Sequence, residues 1–227
     1  MGNQLDRTDI RLVRALSQVI YDRSFLFDDL KQINYISKGL KGFFGQIQKD
    51  EQNGSLILLQ PDGSSVAIVN AESTSLDMQD PILFDFENLS KLVMDQVSSN
   101  LDVEEYIRMG TRLFFGKIVD SIAEGQELLS EKFFKRFQGS FQKAINNPTL
   151  AFTLQQGDDY YINVNLRTEM NGQISISSTG AEHKQDAYIL IDIDVFTNRS
   201  ESYGSFVEKS NKIAVETLDQ MLGLLEG

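Results

Sequence analysis

Two aspartates, Asp192 and Asp194, interrupt an otherwise apolar run in the stretch AYILIDIDVFTNRSES, Ala187 to Ser202. Residues two apart on a strand point to the same face, with Cα atoms about 6.5–7 Å apart. Two carboxylates at that spacing could hold a cation between them or share acid/base work. A second set of residues offers them another occupation. In RMGTR, Arg108, Gly110 and Arg112 share one face of a strand, and Arg167 lies on the polar face of DYYINVNLRT. The guanidinium fork matches a carboxylate in two places at once, so it suits an acid held across a sheet. A fainter echo stands earlier in the chain, with Arg11 and Arg14 in one candidate strand and Asp77 in another. Three roles are open to the acidic pair: a structural ion pair with arginine, a metal or catalytic centre, and partner binding. Because an arginine strand and an aspartate strand occur in both halves, the structural role is the leading expectation.

Other chemistry is sparse. There is no cysteine, hence no disulfide framework, thiolate metal site or cysteine nucleophile. The single histidine, His183, sits in the loop-like TGAEHKQD without a second histidine for zinc geometry. No phosphate-binding glycine loop, dinucleotide fingerprint or serine elbow is present. The expectation is a chain that is not an enzyme and uses no cofactor and no metal.

The formal net charge is −12, which repels phosphate backbones at long range and makes duplex nucleic acid an unfavourable partner for the isolated chain. The charge is uneven: Lys132, Lys135, Arg136 and Lys143 give a local basic face, either a solvated helix surface or a partner contact. No run approaches the roughly 18 apolar residues of a membrane span. The opening residues carry no apolar leader, so a cytoplasmic protein without a membrane partner is expected.

The elements that must position these residues follow from periodicity. Residues 11–21 read as a strand. An amphipathic helix through Phe27, Leu30, Ile33, Leu40 and Phe44 comes next, with Ser24 as candidate cap. A meander punctuated by Asn53-Gly54 and Pro61-Asp62-Gly63 leads to a helix through Phe86, Leu89, Val93 and Val97. The second half runs similarly. A strand carries Arg108 and Arg112, and a helix over 123–148 aligns Leu129, Phe133, Phe137 and Phe141. Strands are expected near 150–155, 159–168, 172–178 and 187–196, with Asn171-Gly172 as a hairpin turn. A last helix, about 205–224, has Ser205 and Glu208 at capping-box spacing. The expected class is α+β: an internally duplicated β-α-β(3–4)-α unit with long amphipathic helices on one face of antiparallel sheet. The halves would divide into lobes 1–102 and 103–227, possibly sharing one continuous sheet.

RMGTRLFFGKI and AYILIDIDVFTN, followed by a charged loop and a long amphipathic helix, resemble two segments of a sporadically distributed bacterial family with no established activity. The family's first segment is an R-x-G-x-R strand ending in an Asn-Arg pair, where this chain has Phe115-Gly116. Its second is an L-D-x-D strand. The resemblance implies that Arg108, Arg112, Asp192 and Asp194 are framework positions, and its distribution implies antiphage or toxin–antitoxin loci. The expected function is therefore a protein-interaction subunit, an accessory, immunity or antitoxin-like component whose partner is another protein or a second copy. One alternative is a small-molecule pocket lined by Tyr160, Tyr161, Tyr188 and Phe196. Another is a metal-dependent hydrolase or nuclease built on Asp192 and Asp194.

Overall fold

The computed structural model describes residues 9–135, 146–177 and 180–227, with the side chains of all but 171–177 and 180–185. Nine strands form one antiparallel sheet: β1 (Ile10–Ile20), β2 (Gln46–Asp50), β3 (Ser55–Leu59), β4 (Ser65–Asn70), β5 (Ser73–Gln79), β6 (Arg108–Val119), β7 (Leu150–Gln156), β8 (Tyr160–Ser177) and β9 (Gly180–Thr197). Their order across the sheet is β2-β3-β4-β5-β1-β6-β9-β8-β7. The described helices are α1 (Leu30–Leu40), α2 (Leu83–Leu101), α3 (Ile122–Leu129) and α4 (Tyr203–Glu226). The class is α+β, and the β1–β6 pairing carries the sheet across the midpoint of the chain without a break.

Alternation decides which residues the sheet buries. Ala15, Leu113, Ile193 and Val164 stand side by side on four neighbouring strands, and all four are buried. Thr111 lies on this face, where the Ser210 hydroxyl of α4 donates to it at 3.1 Å. Gly125 brings α3 so close that a Cβ there would stand 2.9 Å from a Thr168 methyl. Tyr160 stacks on Phe206 of α4, with ring centroids 6.4 Å apart.

The strand β1 keeps this alternation only through a bulge between Leu12 and Arg14. Ile10 and Leu12 are buried, then Ala15, Ser17 and Val19. The extra residue inverts the parity once, which puts both Arg11 and Arg14 opposite the buried set.

Several boundaries differ from those read in the sequence. Ser24 does not cap α1. Its hydroxyl donates to the Leu101 carbonyl of α2, and a 3-10 turn over Phe25–Asp28 intervenes, so Asp29 caps instead by accepting from the Lys31 amide. Ser202, rather than Ser205, caps α4, and Glu208 pairs with Lys91 of α2 at 2.6 Å. Starting α4 there places Tyr203 and Phe206 in the core. Asn171-Gly172 is not a turn: Asn171 pairs with Asp186 and Gly172 with Gln185, inside one long β8–β9 hairpin. His183 consequently belongs to strand β9, paired with Ile174, rather than to a loop. Of the helix expected over 123–148, the part through Lys135 is described: α3 and then a π-helical turn over Ser130–Phe134. Phe137 and Phe141 lie outside the described residues.

Candidate functional site

The sheet face opposite the buried set gathers the residues that the sequence singled out. Arg112 on β6 donates from Nε to Oδ1 of Asp192 and from Nη2 to Oδ2, both at 2.7 Å. The register explains the choice of partner. Asp194 stands directly opposite Arg112 and Asp192 opposite Phe114, so the long guanidinium reaches diagonally to Asp192. Asp192 is only 2% exposed, whereas the Arg112 side chain is 48% exposed. The hydrogen bonds to Asp192 raise the Arg112 pKa above its ordinary value, with partial desolvation acting against them. Arg167 on β8 approaches the same carboxylate, Nη1 lying 3.5 Å from Oδ2, and also pairs with Glu169 at 3.0 Å.

A second pair repeats this geometry. Arg14 on β1 donates from Nε to Asp77 Oδ1 at 2.9 Å and from Nη2 to Oδ2 at 2.6 Å. Asp77 is opposite Leu16, two residues from Arg14, so this pair is diagonal too. The difference lies in the acid: Asp77 is 28% exposed against 2% for Asp192, whereas the Arg14 side chain, at 43%, is about as exposed as that of Arg112. The Asp77 hydrogen bond raises the Arg14 pKa. Between the two pairs lies Phe114, with Arg14 Cζ 5.7 Å and Arg112 Cζ 5.0 Å from its ring centroid. Each guanidinium can thus be held in its plane by a carboxylate and over its face by an aromatic ring.

Arg108 differs from these arginines. Its Cζ stacks over the Phe196 ring at 4.3 Å, and Phe196 stacks in turn on Tyr161 at 5.3 Å. Asp194 accepts from Asn163 Nδ2 at 3.1 Å, and Asn163 Oδ1 accepts from the Thr153 hydroxyl. Arg108, Gly110, Arg112 and Asp194 surround a hollow of about 340 Å³ with Leu16, Gln18 and Ser75. The glycine supplies its floor: a Cβ there would meet only Phe196 Cβ at 3.7 Å and an Asp194 oxygen at 4.0 Å. A smaller hollow of about 190 Å³ lies beyond Phe114, between Arg14, Arg167 and Tyr188. Gly116 makes room for Tyr188 there, since a Cβ would be 2.8 Å from the ring.

Of the four aromatics expected to line one pocket, Tyr161 and Phe196 stack together, while Tyr160 and Tyr188 lie elsewhere. Tyr160 faces α4 and Tyr161 the open side, as adjacent strand residues must. Tyr188 stands at the smaller hollow. Lys132 and Lys135 are exposed on or beside the π-helical turn, and Arg136 and Lys143 lie outside the described residues. Among the described residues, no group of three or more His, Cys, Asp or Glu is placed to hold a metal ion. No described helix is long and apolar enough to cross a membrane. Sequence reasoning passed over Phe114, whose place between the two arginines depends on the β1–β6 register.

No protein-family model matches this chain, and no curated protein matches it. Among solved structures, TBP from Methanococcus jannaschii aligns over 96% of this chain and 98% of its own, with 9% identity and a TM-score of 0.35.

Proposed function

We propose that this chain is a non-enzymatic protein-interaction subunit whose partner binds the open sheet face. The observation that carries this reading is the make-up of that face. Arg14 and Arg112 are each held in a bidentate pair, and Arg108, Phe196 and Tyr161 form a continuous stack beside them. Arginine and aromatic side chains dominate binding energy at protein interfaces, and fixing them beforehand lowers the entropy cost of association. The Asp192 carboxylate is committed to arginine, which disfavours the metal-dependent reading. The bacterial family resemblance adds an accessory, immunity or antitoxin-like role in the cytoplasm. The basic side chains of Lys132 and Lys135 remain a second contact region.

An internally duplicated unit underlies this face. A two-fold axis through the Ala15–Leu113 pair carries Arg14 onto Arg112 and Leu16 onto Phe114. Asp77 faces Leu16 just as Asp192 faces Phe114, so the two ion pairs exchange as well. The helices then cover one side of both halves and leave the paired arginines on the other.

The hollow floored by Gly110 favours a second reading, a small-molecule pocket, because it joins a guanidinium, a carboxylate and a hydroxyl in a space of about 340 Å³. Affinity capture from the native host tests the leading reading. Wild type should retain a stoichiometric protein partner, and a folded Arg108→Glu/Phe196→Ala variant should lose it. Retention by that variant, with loss in Lys132→Glu/Lys135→Glu, would move the contact to the basic region. Absence of any stoichiometric partner would overturn the proposal.

A further inference from the structure

The two outer strands of the sheet are built differently. β2 carries Lys49 and Asp50 and ends beside Glu51. Charge on an edge strand opposes pairing with another chain, because it would have to be desolvated or set against its own copy. β7 has the sequence LAFTLQQ, Leu150 to Gln156, with no charge, no proline and no glycine. It pairs on one side with β8, and among the described residues it ends the sheet on the other. Ala151, Thr153, Leu154, Gln155 and Gln156 are exposed, and Leu154 is an exposed large apolar residue at 38%. Leu150 and Phe152 are only partly covered by the core.

We infer that the β7 edge is a self-association site, at which a second copy of this chain adds its own β7 antiparallel and extends the sheet across a two-fold axis. This lies beyond the partner face proposed above and uses different residues. Antiparallel pairing of identical strands is self-complementary, the condition for a closed dimer. Only registers centred on a residue keep the apolar face of one copy level with that of the other. Centring on Thr153 gives the longest overlap. Phe152 then lies opposite Leu154 of the second copy, and Leu150 opposite its Gln156. On the other face Ala151 lies opposite Gln155, and the two Thr153 side chains meet. No like charges are brought together, although the chain carries a formal net charge of −12. The contact is a single strand wide, below the roughly 1,200 Å² of a stable interface, so the dimer is a weak, concentration-dependent one. Added salt strengthens it by screening the net charge of the two copies.

Sedimentation equilibrium on the full chain, at several concentrations and two salt levels, tests this. Wild type should move from monomer to dimer as concentration rises, more so in high salt. Ala151→Lys/Gln155→Lys should remain monomeric with an unchanged melting temperature, because both positions are exposed. Ala151→Glu/Gln155→Glu should also be monomeric. Mixing the two variants should restore a dimer with affinity at least equal to wild type, since lysine now faces glutamate twice. The inference is overturned if wild type stays monomeric throughout. It is equally overturned if the lysine variant dimerises like wild type, or if the mixture of folded variants does not associate.

Discussion

Removing Arg112 should cost more than removing Arg14, although the two arginines make the same hydrogen bonds. The difference lies in what each leaves behind. Arg112→Met strands the Asp192 carboxylate, which is 2% exposed and keeps, among the described residues, Arg167 at 3.5 Å. Breaking a fully buried pair costs about 3–5 kcal/mol, and the nearby Arg167 reduces this to about 2–3 kcal/mol. Arg14→Met leaves Asp77 at 28% exposure, where water can replace the lost partner. Its cost should be about 0.5–1 kcal/mol. For a chain of this size the first change lowers the melting temperature by roughly 5–10 °C and the second by roughly 1–4 °C. Double-mutant cycles on Arg112/Asp192 and Arg14/Asp77, read by denaturant unfolding, isolate the two coupling energies. The Arg112→Met/Asp192→Leu double variant should cost less than Arg112→Met alone, because no buried charge remains. Equal couplings in the two pairs would refute the burial argument, as would a double variant worse than that single change.

Three further outcomes follow from other parts of the structure. Burial pushes Tyr21 and Tyr203 each up to about 12, so the folded state holds these protons longer than the unfolded chain does. Their contribution to stability is whole below about pH 10 and falls as the pH rises from 10 toward 12, which melts across that range combined with tyrosinate absorbance will detect. Gly116→Ala should destabilise by about 1–3 kcal/mol by driving a methyl into the Tyr188 ring, whereas Gly110→Ala should leave the melting temperature nearly unchanged. In a gel-shift assay at physiological salt the isolated chain should not bind duplex DNA stably, because its net charge of −12 opposes the phosphate backbone. Tight binding with a steep salt dependence would refute that.

Strand alternation made part of the candidate site legible in advance. It sets Asp192 beside Asp194 and Arg108 beside Arg112 within their own strands, and the strand pairings bring these two sets and Arg167 to one face. It could not choose between Asp192 and Asp194, because that depends on a register set by neighbouring strands. Arg14 was harder to place, since the bulge in β1 inverts the parity where it stands. The length of the β8–β9 hairpin was obscured by Asn171-Gly172, a favourable local turn. There the ladder continues in register from Tyr161–Phe196 to Ser177–Gly180, and long-range pairing overrides the local preference. The start of α4 shows the same priority. Ser202 and Ser205 can both cap a helix, and burying Tyr203 and Phe206 selects the earlier one.

We propose that Asp192 and Asp194 frame an arginine-bearing surface rather than a metal centre. Calorimetric titration of wild type and Asp192→Asn with magnesium, manganese and calcium tests it most directly. Neither protein should give saturable heat, because the Asp192 oxygens already accept from Arg112 at 2.7 Å and a cation would have to displace the guanidinium. A micromolar site in wild type that disappears in Asp192→Asn would contradict it.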